Sequence, residues 1–277
     1  MTDVSGETQP TLPLPAAPEP GPDARPRRRG ALAWIIAVVV VIALAVVAWF
    51  VAEHITRSIL TDTVRQQVIT QLALPEDQPI DVGFDEPVLP QVIGGRLDRL
   101  DIASEDVPLG DVVADVSVRA RGVPIRADGG DITDAEATVV FGEDQLQTLL
   151  AQVDGVPDAG LTLDPPDVEV EVELSIFALS VPLGLDLIPS AADGDIVLTP
   201  RAVRLGGAEL TADAVRERFG AAADGVLRDY PICIRDRLPA GLTLREVRVE
   251  QAALVAEVDV AGAIISDPVL QAPGTCG

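Results

Sequence analysis

One histidine, two cysteines and an aromatic content of 3% leave this chain short of most catalytic equipment. His54 directly follows a long apolar run, with no metal partner or nucleophile near it in sequence, so it reads as an interfacial spacer. There is no G-x-S-x-G elbow, no Walker loop, no dinucleotide fingerprint and no Cys-x-x-Cys pair. Asp128, Asp131 and Asp134 lack the ligand spacing of a calcium loop and decorate a hairpin, as do Asp193 and Asp195. Carboxylates are plentiful, but nothing selects a catalytic pair. The expectation is therefore a protein that is not an enzyme and holds no metal or cofactor. Lysine is missing altogether: all 20 basic residues are arginine, a bias that fits a GC-rich genome. With aromatics so scarce and 48% of the chain hydrophobic, the core must be built from Val, Leu, Ile and Ala.

What the chain has in excess is negative charge. The first 30 residues carry four acids and four arginines, so the net charge of −24 falls entirely on the remainder. Such a surface repels polyanions and argues against nucleic-acid binding; solubility is its plainest role.

Residues 1–30 are rich in Pro, Thr and Ala without apolar periodicity, which predicts a disordered tail. Ala31 to Ala52 is then 22 residues without a charge. As a helix that run is about 33 Å long, against a hydrocarbon core of roughly 30 Å. Trp34 and Trp49 lie near its ends, where amphipathic rings favour the interface. Arg25, Arg27, Arg28 and Arg29 precede it and predict a cytoplasmic N-terminus, with residues 53–277 extracytoplasmic in a single-pass membrane protein. A cleaved signal peptide is the competing reading, since Ala43-Leu44-Ala45 resembles a cleavage site, but the leading tail and the length of the run argue for an uncleaved anchor. In an oxidising compartment Cys233 and Cys276, an even count, are expected to pair; the alternative is two free thiols.

Beyond the run, helical spacing of Ile55, Ile59, Leu60, Val64, Val68, Ile69 and Leu72 predicts a helix over 53–74, ended by Pro75. "GEDQLQTLLAQV" predicts a second helix. "TADAVRERFGAAADGVLRDY" predicts a third, capped by Thr211, with Val215, Phe219, Val226 and Tyr230 on one face. Most of the rest reads as strand, including "GRLDRLDIASEDV", "DVVADVSVRARGV", "DITDAEATVVF", "DIVLTPRAVRL", "LTLREVRV" and "ALVAEVDV". A turn, strand, glycine and helix recur in order at 127–150 and 191–219, a modest sign of duplication.

The stretch "DVEVEVELSIFALSVPLGL" poses a sharper problem. Val168, Val170, Val172, Leu174 and Ile176 occupy even positions; Phe177, Leu179, Val181, Leu183 and Leu185 occupy odd ones. Side chains alternate faces along a strand, so a bulge near Ile176-Phe177 is expected to keep both sets on one side. Residues 168–187 would then form one bent strand of roughly 60 Å. "LTLREVRV" slips in the same way, from Leu242 and Leu244 to Val247 and Val249. Two slips predict a strongly curved sheet, in an α+β fold preceded by one transmembrane helix.

The order of span, helix, "VLPQVIGGRLDRLDIASEDVPLG", "FGEDQLQTLL" and "YPICIRDRLPAGLTLREVRV" resembles the LmeA-like envelope proteins of actinobacteria over most of residues 55–265. The resemblance implies a fold related to the tubular lipid-binding proteins, in which a long, strongly curved antiparallel sheet wraps around amphipathic helices; it also implies phospholipid binding in the cell envelope and a part in mannan-containing glycolipid assembly. An uncleaved anchor and a C-terminal cysteine pair are departures from that family. The residues expected to contact lipid are Val168, Val170, Val172, Leu174, Phe177, Leu179, Val181 and Leu183. An aliphatic face with no polar centre suits mobile acyl chains. Two alternatives stand beside this: the face is closed core under the helices, or the acidic domain is an adaptor without lipid cargo.

Overall fold

A computed structural model describes residues 29–72, 74–109, 112–126, 129–151, 160–176, 179–205 and 208–276; the side chains at 29–33, 174–176, 179–181 and 222 are not described. The chain divides into two units, Met1–Phe50 and Val51–Gly277. One helix, α1 (Arg29–Leu72), runs through the boundary. From Trp34 it is long and apolar enough to cross a membrane, and its apolar window is wholly unburied.

In the second unit, α1 packs by the predicted stripe. Leu60 and Val64 lie against Phe84, Val88, Leu97 and Leu100. Two turns on, Val68 and Ile69 lie against Leu74, Ile80 and Val107. Ile55, Ile59 and Leu72, expected on that stripe, are exposed instead. The strands beneath belong to a six-stranded antiparallel sheet. Its members are β1 (Asp81–Phe84), β2 (Arg96–Leu109), β3 (Val112–Pro124), β4 (Asp134–Gly142), β11 (Leu242–Glu250) and β12 (Ala253–Val260), in the order β1-β2-β3-β4-β12-β11. A short helix, α2 (Val88–Gly94), joins β1 to β2 and ends at Gly95, whose φ of 79° suits glycine.

The second sheet is also antiparallel and six-stranded. β5 (Gly160–Asp164), β6 (Asp167–Ile176), β7 (Leu179–Ala192), β8 (Asp195–Leu205) and β10 (Tyr230–Ile232) run in the order β10-β8-β7-β6-β5, and β9 (Ala208–Thr211) pairs with β8. The duplication is visible in the chain order. β4 leads into α3 (Glu143–Leu150), and β8 leads through β9 into α4 (Ala212–Phe219). The α+β class is as expected, with two open sheets in place of one.

The parity slip at 176–177 has a different cause from the one expected. β6 and β7 are two strands of a hairpin, with Ile176 opposite Leu179, Val172 opposite Leu183 and Val168 opposite Leu187. A two-residue connection sets each even position of β6 against an odd position of β7, and directly opposed residues share a face. The apolar series therefore changes parity because the chain turns back. Among the described residues the β6–β7 register runs without a shift and the two strands replace the single strand of roughly 60 Å; Phe177 and Ala178, between them, lie outside the described residues. The slip in β11 is the bulge it was expected to be: the register shifts between Leu244 and Glu246, and Leu244 and Val247 are both buried.

The third helix is shorter than predicted. Thr211 caps it, accepting from the Ala214 N–H at 3.3 Å, but Gly220 at φ 55° ends it after Phe219. Val215 is buried, Phe219 is exposed, and Tyr230 opens a strand. At the other end of the domain's chain, Cys233 and Cys276 form the expected disulfide, with Cα atoms 6.0 Å apart.

Candidate lipid-binding face

Cross-strand register builds an aliphatic face row by row. In the first sheet Ile102 opposes Val118, which opposes Ala137, which opposes Val258, which opposes Leu244. The next row runs Val116, Val139, Ala256, Val247. In the second sheet Leu161, Val170, Leu185 and Val203 form one row, and Leu163, Val168 and Leu187 another. Opposed residues point the same way, so each sheet presents one continuous apolar side.

The two sides meet along β11. Val249 buries with Leu163, Val168 and Leu187, beside Leu254 and Leu146. Leu244 and Val247 pack with Ala191 and Ile196 of the β7–β8 hairpin. α3 is fixed over this seam by two side chains that satisfy the edge of β5: the Leu161 N–H donates to Gln147 Oε1 at 2.7 Å and the Leu163 N–H to Glu143 Oε2 at 3.0 Å.

Away from the seam the packing loosens. Val170, Val172, Leu183 and Leu185 are only half-buried, as are Val116, Val118, Val139 and Phe141 on the first sheet. Of the residues expected to contact lipid, Val170, Val172 and Leu183 thus lie on a partly open aliphatic surface. Val168 does not: it is buried in the seam. The side chains of Leu174, Leu179 and Val181 fall outside the described set, although the register places Leu174 opposite Val181; Phe177 is outside altogether. The β3–β4 residues were legible only as strand. Which strip of the sheet α1 leaves uncovered is a tertiary fact.

The opposite side of the second sheet is ionic. Asp186, 2% exposed, accepts from Arg204 Nε at 2.9 Å, and Arg204 also pairs with Glu169 at 2.6 Å. Arg201 Nε donates to Asp167 at 2.9 Å. Hydrogen bonds donated to these carboxylates raise the pKa of both guanidinium groups, which stay charged. In the first sheet, Arg248 and Arg245 of β11 hold the Glu257 carboxyl of β12 below its ordinary range by hydrogen bonds to it. A cleft of about 410 Å³ lies on this ionic side, lined by Glu169, Glu171, Glu173 and Arg204. Arg201 and Arg204 are both engaged by carboxylates on this side.

An α+β domain with an aromatic-poor, half-open aliphatic face belongs physically with proteins that shelter acyl chains rather than compact polar substrates. The chain is a member of the LmeA-like phospholipid-binding family, whose profile matches residues 51–259. The matched segment opens at Val51, where the second unit also begins, and stops short of Cys276. Among curated proteins and solved structures, nothing matches the chain.

Proposed function

We propose that this protein is a membrane-tethered phospholipid-binding protein of the cell envelope that holds lipid, or hands it on, during glycolipid assembly, without catalysing a reaction. The observation that carries this reading is the half-buried aliphatic side of the two sheets in a member of a phospholipid-binding family. The helix long enough to span a bilayer supports the tether, the arginines before it support a cytoplasmic N-terminus, and the disulfide fits an oxidising exterior.

Acyl chains gain about 0.8 kcal/mol for each methylene taken out of water. A bilayer offers the same gain, so transfer between membrane and protein is near balance, as exchange requires. Native mass spectrometry of the full chain, released from detergent, is expected to show a population heavier than the polypeptide by the mass of one phospholipid. A bare polypeptide mass under conditions that preserve lipid on other membrane proteins would favour an adaptor role.

A further inference from the structure

Four of the apolar residues that the domain leaves in solvent, including the two most exposed, lie together. Ile93 is 75% exposed at the end of α2, Val269 is 72% exposed in α5 (Pro268–Gln271), and Ile265 and Ile125 are exposed as well. Hydrogen bonds bring these segments to one end of the first sheet. The Ile125 N–H donates to Gly95 O at 3.1 Å, just past α2. The Ile132 N–H donates to Gly262 O at 3.0 Å, and Ser266 Oγ donates to Asp131 Oδ1 at 3.0 Å, which joins the β3–β4 loop to the C-terminal strap. β2 starts at this end, β3 ends there, β4 starts and β12 ends there.

The same end is tied to the residue that follows the apolar run. Glu53 is the first charge after Ala52. Its carboxylate accepts from the N–H groups of Val88, through Oε1, and of Leu89, through Oε2 at 2.9 Å. Arg57, one turn further, pairs with Glu86 at 2.7 Å. α1 then continues away, Leu60 and Val64 touching the cluster that contains Leu97, and Val68 the cluster that contains Val107.

We propose that this end of the first sheet is a membrane-contact rim, in which Ile93, Ile125, Ile265 and Val269 enter the interface of the bilayer that residues 31–52 span. The proposal rests on reading that run as a span. The Glu53 tether fixes α2 at the level where the span ends, which is the depth at which apolar side chains settle about 5–10 Å into the headgroup and acyl boundary. Two nearby carboxylates are engaged by protein donors: Asp131 by Ser266, and Asp267 by the Val269 N–H at 2.9 Å.

The test uses the full chain in phosphatidylcholine vesicles carrying bromine on the upper acyl chain. Native Trp34 and Trp49 report the span. In a Trp34→Phe, Trp49→Phe background, Ile93→Trp and, separately, Val269→Trp report the rim, while Leu109→Trp reports the opposite end of β2, roughly 45 Å away along the strand. The rim tryptophans are expected to lose emission as native Trp49 does, with Leu109→Trp unaffected. Quenched native tryptophans with both rim tryptophans unquenched would overturn the rim and leave the span intact. Unquenched native tryptophans would remove the span and, with it, the proposal that rests on it. Equal quenching at Leu109→Trp would also overturn the proposal, since the contact would not be confined to this end.

Discussion

Replacing Cys276 with Ser is expected to lower the unfolding free energy of the domain by up to about 4 kcal/mol, the chain-entropy value for a bridge of this span. The bond joins residues 43 apart in sequence. Its loss releases the strap that follows β12, held otherwise by short-range bonds such as Gly274 N–H to Leu238 O at 2.9 Å and Ala240 N–H to Ala272 O at 2.8 Å. Those bonds cannot offset the added freedom of the unfolded chain, so the strap should fray and become open to protease while the sheets persist. Urea midpoints of the wild type, the wild type under reductant and the Ser variant measure this. The last two should coincide below the first. Three equal midpoints, with two thiols titrating in the untreated protein, would show that the bond does not form.

Asp186→Ala is expected to cost about 3 kcal/mol, the low end of the range for removing one partner of a buried ion pair. The carboxylate is almost fully enclosed and binds Arg204, with Arg201 at 3.7 Å. Their side chains are 35% and 43% exposed, so water recovers part of the loss. For a domain of this size the change corresponds to a fall in melting temperature of about 6–12 °C. Glu86→Ala, which breaks the exposed pair with Arg57, should cost under about 1 kcal/mol. Equal shifts for the two variants would mean that burial of Asp186 does not set the strength of its network.

Much of the fold was legible because period and parity are written locally. The six long strands outside the 168–187 region were read from alternation, and the α1 stripe from helical spacing. The bulge in β11 was legible because a single extra residue, Arg245, sits between buried Leu244 and the next paired position. The same signal misled at 176–177, since a hairpin with a two-residue connection changes parity just as a bulge does. Phe177-Ala178 carries no Gly, Asn or Asp to announce a turn. β1 and β5, of four and five residues, are too short for alternation to stand out. For the site, the sequence identified apolar positions but not their cover. Val168 and Val170 look alike in sequence, yet the first is sealed by Val249 from β11 and the second stays half-open.

The central claim is that this half-open surface takes acyl chains and is not an imperfectly filled core. Val172→Trp tests it most directly, read as a pair of quantities on the same sample: bound phospholipid by native mass spectrometry and the unfolding midpoint. Val172 is half-buried opposite Leu183. An added ring should occupy the space of the acyl chain, so lipid is lost while the midpoint barely moves. Overpacking a closed core costs about 1–3 kcal/mol instead. Retained lipid together with a collapsed midpoint would show that the residue belongs to the core and would contradict the account.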